Sequence, residues 1–303
     1  MNKVVLITGS STGFGRATAE ALGRRGYTVF ATMRDSSGRN AGHREALEGL
    51  AAQEKLPLHV VDMDVSNDTS VSTATEQILE RTGRIDVVIN NAGVAALGIT
   101  EAYTIQKMQQ LFEVNFFGVA RVNRAVLPTM RRQRSGLLIH VSSAAGRAVA
   151  AYFGLYSASK FALEALADSY RFELAPFGVD SVIVEPGIHR TPILEAFQSP
   201  DDQSRAAEYQ PDSDFTARVK GTFDAAKASP ETPGAAEVAE AFLRLIEMPA
   251  GTRPFRTVPT PAMAPLLEAY NTAAAQIRQI VAQVFSIPEL TVLKTSDSSK
   301  FDS

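Results

Sequence analysis

Tyr156 and Lys160 stand four residues apart in the run Tyr156-Ser157-Ala158-Ser159-Lys160. On a helix this spacing sets a phenol and an ammonium on one face. A free phenol titrates at about pH 10, too high for easy proton exchange at neutrality. A nearby cation favours the phenolate and lowers that value, and proton transfer works best when the catalytic group titrates near the working pH. The pair is a candidate general acid/base.

A second candidate lies near the N-terminus, in Thr8-Gly9-Ser10-Ser11-Thr12-Gly13-Phe14-Gly15, after the apolar run Val4-Val5-Leu6-Ile7. Glycines let a backbone turn tightly against a pyrophosphate, and the helix that follows offers free N–H groups and a positive dipole end. The intervals between Gly9, Gly13 and Gly15 differ from those of the common dinucleotide fingerprint, and a plain glycine turn is the competing reading.

This loop resembles the TGxxxGxG motif of the short-chain dehydrogenase/reductase family, and further motifs follow in the family's order. Asn90-Asn91-Ala92-Gly93 matches NNAG, which supports the sheet and flanks the cofactor in relatives. Asp64-Val65 matches the acid that reads the adenine edge, although Asp64 also suits a helix start. Asn115 resembles the asparagine that holds a water in a proton relay; alone it reads as a helix-packing residue. Ser143, thirteen residues before Tyr156, resembles the serine that holds the substrate oxygen. Alternation turns the adjacent Ser142 the other way. Pro186-Gly187 and Thr191 fit PGxxxT, whose hydroxyl bonds the nicotinamide carboxamide. The resemblance thus implies a catalytic set of Asn115, Ser143, Tyr156 and Lys160. It also implies a cofactor site of Gly9, Ser11, Thr12, Gly13, Phe14, Gly15, Arg34, Asp64, Val65, Asn91, Ala92, Gly93, Tyr156, Lys160, Pro186, Gly187 and Thr191. A cofactor-sensing regulator without turnover is the rival class, but such proteins usually lose the Tyr or the Lys.

To position these groups the chain needs strands that end beside them. Strands are predicted at 4–8, 27–32, 58–63, 86–90, 137–142, 180–185 and 254–258, mostly Val/Ile/Leu runs of the kind covered on both faces. Helices are predicted near 15–25, 40–54, 67–82, 101–133, 155–176 and 235–248. The alternation implies a doubly wound parallel α/β sheet, a single-domain Rossmann fold of about seven strands, with right-handed crossovers. Ligands in such sheets sit beyond the carboxyl ends of the strands, where each motif falls. Residues 188–234 read as a long structureless substrate loop, and 291–303 as a flexible tail after a domain spanning 1–290.

Cofactor choice turns on the end of the second strand, Thr32-Met33-Arg34-Asp35. NAD enzymes place an acid there on the ribose diol. Met33 takes that position here, and Arg34 could meet a 2′-phosphate through paired donors, with Thr12 adding a hydroxyl. The expectation is NADP(H) rather than NAD(H); the opposing reading makes Asp35 the diol ligand.

The pocket reads as apolar. Ala144–Phe153 carries Arg147 as its only charge, and Ile188, Ile193, Leu194 and Phe197 add to it. Such walls suit a bulky hydrophobic carbonyl or alcohol. The Ala31–Asp35 turn and the helix from Tyr156 look most like the hydroxysteroid and retinol dehydrogenase branch. His189 reads as a solvated loop histidine, with a substrate contact beside the nicotinamide end as the alternative.

Bulk properties exclude other classes. A formal charge of -3 gives no basic field for nucleic acid. The absence of cysteine removes disulfides, thiolate metal sites and a cysteine nucleophile, the four histidines are scattered, and no metal is expected. No apolar run reaches membrane-span length, and no signal segment precedes the first strand, so a cytoplasmic protein is expected. Relatives commonly pair through helices like 101–133 and 155–176. The second is apolar around much of its circumference, so a homodimer or homotetramer is expected.

Overall fold

The computed structural model describes residues 2–209 and 213–295. Seven parallel strands form one sheet in the order β3-β2-β1-β4-β5-β6-β7. They are β1 Val4–Ile7, β2 Thr28–Met33, β3 Leu58–Asp62, β4 Val87–Asn90, β5 Gly136–Val141, β6 Val179–Val184 and β7 Arg256–Thr257. The sheet is the predicted one, and its reversal of direction between β1 and β4 is the point where such folds bind ligands.

Ten α-helices occur among the described residues: α1 Gly13–Arg24, α2 Ala41–Glu54, α3 Asp68–Thr82, α4 Ile105–Phe112, α5 Gly118–Gln133, α6 Gly154–Glu173, α7 Gln203–Glu208, α8 Ser213–Ala228, α9 Ala235–Glu247 and α10 Ala264–Val284. One core layer joins β-sheet residues such as Ile7, Val29 and Ile139 to Ala19, Leu22, Leu47 and Phe242. The opposite layer joins Leu6, Phe30 and Val88 to Val71, Ile78, Val122 and Val126. Strands sandwiched this way bury side chains on both faces, which explains their unbroken apolar runs.

Four expectations are corrected. The long helix at 101–133 is interrupted by a π turn over Glu113–Phe117, between α4 and α5. The stretch 188–234 is not structureless: it carries a 3-10 turn at Pro192–Glu195, α7 and α8, with 210–212 outside the described residues. The tail does not start at 291, because Lys294 N donates to Ala175 O at 3.0 Å; 296–303 lie outside the described residues. Helix α10 was not anticipated. Its body-facing positions include Leu267 and Ala282, while Leu266, Ile277, Ile280 and Val284 are exposed, so no simple inside–outside pattern marked it.

Candidate active site

The turn after β1 folds as it does because only glycine fits two of its positions. Gly9 has φ +68°, and a Cβ there would lie 2.8 Å from Ala92 Cα. A Cβ on Gly15 would strike the Gly9 carbonyl and stand 2.6 Å from Asn91 Nδ2. Asn91 braces this turn, its Nδ2 donating to Thr8 O at 2.8 Å and Gly9 O at 2.9 Å. The NNAG segment and the glycine loop are therefore one unit.

Beyond these strand ends lies a cavity of about 330 Å³. Gly9, Ser11, Thr12, Gly13 and Phe14 line one part, and Asn91, Ala92, Gly93 and Thr191 another. Met33, Arg34, Asp64 and Val65 line the end beside β2 and β3. Gly15, Tyr156, Lys160 and Pro186-Gly187 are absent from this lining; Gly15 serves close packing, and Gly187 N donates to Thr260 Oγ1 at 2.7 Å. Arg39 and Asn40 also line the Arg34 end, and the sequence reading missed both. Their only signal was a second arginine just past the strand end.

Arg34 is the first residue after β2, which extends through Met33. Asp35 adopts φ +50°, and its carboxylate accepts from the Arg39 backbone N–H at 3.0 Å. Asp35 thus shapes the turn that brings Arg39 alongside Arg34. The Asp64 carboxyl is lowered: Ser66 hydrogen bonds and the nearby Arg34 and Arg39 charges outweigh burial, which is the largest single influence and opposes them.

The residues of the catalytic candidate converge near Gly93 of the cavity wall, although none of them lines the cavity itself. Ser143 is the side chain that opposes the effect of burial on the Tyr156 hydroxyl. Lys160 Nζ donates to Val141 O at 2.8 Å and lies 5.8 Å from the Tyr156 ring centre. Gly93, on the cavity wall, stands close by: a Cβ there would lie 3.7 Å from Lys160 Nζ and 3.4 Å from Asn115 Oδ1. Asn115 sits in the π turn, an irregularity frequent at functional sites. Its Nδ2 donates to Val94 O at 2.9 Å and to Ser159 Oγ at 3.0 Å, and its Oδ1 accepts from Val94 N at 2.9 Å.

The expected lowering of the phenol by Lys160 does not appear. Burial pushes Tyr156 up to about 12, opposed by the Ser143 hydrogen bond. Burial also pulls Lys160 down to about 8, opposed by the Glu164 charge.

Beside Tyr156, three rings pack together: Phe153 is 5.1 Å from Phe223 and 5.7 Å from Phe197, and Phe197 is 5.2 Å from Phe223. Ala145, Tyr152, Ile193 and Val219 complete this apolar cluster. Phe223 and Val219 come from α8, which the sequence reading treated as loop. Two other expectations change. Arg147 leaves the apolar wall and pairs with Glu164 at 3.2 Å. His189 is not solvated: it is 2% exposed, meets Phe14 edge-on at 5.3 Å, and hydrogen-bonds Gly187 O at 3.1 Å. The adjoining backbone turn buries it, which composition of the loop did not reveal.

The arrangement also suits a nicotinamide dinucleotide. Thr191 Oγ1 is buried on the cavity wall without a partner among the described residues, a donor and acceptor suited to a carboxamide. The glycine turn presents a helix N-terminus to phosphate. Among the described residues no group of His, Cys, Asp or Glu is placed to hold a metal.

Residues 3–202 match the short chain dehydrogenase family. The chain belongs to that family. As a short-chain dehydrogenase it is an oxidoreductase acting on alcohol or ketone groups. It is 40% identical over 189 residues to 3-ketodihydrosphingosine reductase of Bacteroides thetaiotaomicron, covering 62% of this chain and 65% of that protein, just under two thirds of its length. It is 32% identical to human retinol dehydrogenase 8, covering 98% of this chain and 86% of that one. With human 17-beta-hydroxysteroid dehydrogenase type 1 it shares 35% identity, over 87% of this chain and 79% of the relative. Among solved structures, a short-chain dehydrogenase from Streptomyces avermitilis superposes with TM-score 0.73 at 31% identity, over 94% of this chain and 97% of the other. One from Burkholderia phymatum, in complex with NAD, gives 0.73 at 26% identity, over 88% and 92%. No helix among the described residues is long and apolar enough to cross a membrane.

Proposed function

We propose that this short-chain dehydrogenase interconverts a ketone and a secondary alcohol on a bulky apolar substrate, using NADP(H). The observation that carries the reading is a cavity whose wall at Gly93 stands close to Lys160, with Tyr156 packed next to that lysine, and whose far end holds Arg34 and Arg39. Bound in that cavity, the nicotinamide supplies or accepts the hydride, and the protein supplies position and polarity.

Ser143 and Tyr156 hydroxyls together hold the substrate oxygen. Tyr156 gives its proton to that oxygen as negative charge develops there, and takes it back in the reverse direction. Two preorganised donors in a buried site stabilise this charge far better than water does. Lys160, as an ammonium with three donors, holds the nicotinamide-ribose hydroxyls. Asn115, turned toward Val94 O and close to Gly93, fixes the end of a water-mediated path that returns the proton. At the other end two guanidiniums suit a 2′-phosphate, and Asp35 is occupied in the turn, which favours NADP(H) over NAD(H). The Phe153–Phe197–Phe223 cluster argues for an apolar substrate body. Self-association through the α5 and α6 region belongs to the same reading, with Phe117 and Phe161 partly exposed there.

Purified protein mixed with NADPH or NADH and a panel of small and bulky ketones, followed by cofactor absorbance, tests the reading. Turnover with NADPH on bulky apolar ketones is expected. Cofactor binding without turnover on any of them would favour a sensor instead.

A further inference from the structure

The helix that carries Tyr156 and Lys160 carries a third ionisable residue one turn further on. Glu164 is 3% exposed, and its Oε1 accepts a 2.7 Å hydrogen bond from Ser142 Oγ. Its Oε2 lies 3.2 Å from Arg147 Nη1 and 3.3 Å from Arg256 Nη2. Glu185, fully buried after β6, meets the same two arginines at 3.5 and 3.3 Å. Asn271 of α10 joins them, accepting from Arg147 Nε at 3.0 Å and donating to Glu185 Oε2 at 2.7 Å. Around this core, Asp168 pairs with Arg256 at 3.0 Å and Arg278 at 3.5 Å, and the Tyr270 ring lies 4.3 Å from the Arg147 guanidinium.

Two carboxylates thus face two guanidiniums in the interior. Such arrays are weak devices for stability, since apolar replacements of equal volume often do as well. Their placement points to another role. Ser142 directly precedes Ser143, and Arg147 ends the 3-10 turn that Ser143 starts. The turn presses on the carboxylate: a Cβ on Gly146 would lie 2.6 Å from Glu164 Oε1 and would strike Ser142 Oγ.

We propose that Glu164 is a positioning residue that, through Ser142 and Arg147, locks the Ser143 turn to the face of α6 bearing Tyr156 and Lys160. The proposal rests on the roles given above to those three residues. Electrostatics support it. Burial and the neighbouring Glu185 charge push Glu164 up to about 7, while Ser142, Arg256 and Arg147 pull it back. Once ionised, Glu164 opposes the effect of burial on Lys160 and helps keep it an ammonium. Removing that anion lets Lys160 lose its proton at lower pH, so the alkaline limb of activity moves toward acid.

The test compares Ser142→Ala and Glu164→Gln with the full-length wild type. It measures kcat and KM for ketone and NADPH across pH, NADPH affinity by fluorescence across pH, and Tm. Ser142→Ala should lower kcat about tenfold, the loss expected for one hydrogen bond to a charged group, with the KM for NADPH nearly unchanged. Glu164→Gln should do the same and also shift the alkaline limb of turnover and of NADPH binding to lower pH. Asp180→Asn breaks buried pairs with Arg253 and with Arg171 near the far end of α6, remote from Glu164, and should lower Tm without moving the limb. If Glu164→Gln fails to fold, Ser142→Ala decides the case. Wild-type kcat in Ser142→Ala, or a Glu164→Gln limb that stays in place, overturns the proposal. Absence of turnover in the wild type instead overturns the reading of the site, and the pH dependence of NADPH binding still reports on Glu164.

Discussion

Lys160 Nζ donates a 2.8 Å hydrogen bond to the Val141 carbonyl, so the ammonium of α6 is tied to the end of β5 two residues before Ser143. One bond thereby joins the two segments that bear the Ser143 and Tyr156 hydroxyls proposed to meet the substrate. The register of β5 against β4 and β6 then fixes where Ser143 emerges, and the sheet positions the chemistry.

Tyr156→Phe keeps the ring in its place against Phe153 and deletes the exchangeable proton. Turnover should fall by roughly 10²–10⁴-fold, the usual contribution of a positioned acid/base. NADPH affinity, followed by fluorescence titration, should stay within about twofold, because the hydroxyl carries little of the binding free energy. Retention of a tenth of the activity, on the order assumed for acid catalysis, would remove Tyr156 from its role.

Lys160 gives the pH dependence. Its folded value is lowered to about 8, so the ammonium is present below that pH and lost above it. Cofactor affinity and kcat should therefore both decline as pH rises through about 8. Lys160→Ala should be weak in both functions at every pH and should lose this limb. A variant altered only in ketone affinity would contradict the dual role.

Much of this was legible beforehand because the motifs are local. Gly9, Asn91, Tyr156 and Lys160 act through short stretches whose spacing survives without knowledge of the fold, and the strands announced themselves as buried apolar runs. What escaped notice depends on distant partners. Arg147 looked like a pocket charge because Glu164, Glu185 and Asn271 lie far along the chain. His189 looked solvated because its cover, Phe14, comes from α1. Helix α10 hid because several of its apolar residues face outward, and α8 because most of its sixteen residues are exposed and its surroundings are loop-like.

At the adenosine end, Arg34→Ala should raise the KM for NADPH by about tenfold or more, with NADH nearly unaffected, since a hydrogen bond to a charged group contributes roughly 1.5–3 kcal/mol. Arg39→Ala should act in the same direction, and adding Met33→Asp should shift preference further by repelling the phosphate. Steady-state kinetics with both cofactors check this. If Asp35→Ala harms NADH use while Arg34→Ala changes nothing, the diol reading of Asp35 replaces it.

The aromatic cluster makes the last prediction, which concerns substrate size. Phe223 reaches the site from α8, 5.1 Å from Phe153, whose ring in turn lies 5.7 Å from that of Tyr156. It is thus one ring removed from the Tyr156 hydroxyl proposed to meet the substrate oxygen. A small ketone held by Ser143 and Tyr156 does not extend that far, but a multi-ring or long-chain ketone does. Burying a large apolar side chain is worth about 1.5–3 kcal/mol, so losing the Phe223 contact should cost a bulky substrate roughly tenfold in kcat/KM. Phe223→Ala should therefore depress kcat/KM for bulky apolar ketones through KM, while small ketones and the KM for NADPH change little. Equal losses for small and bulky ketones would mean that Phe223 supports the fold of α8 rather than the substrate, and that the apolar body binds elsewhere.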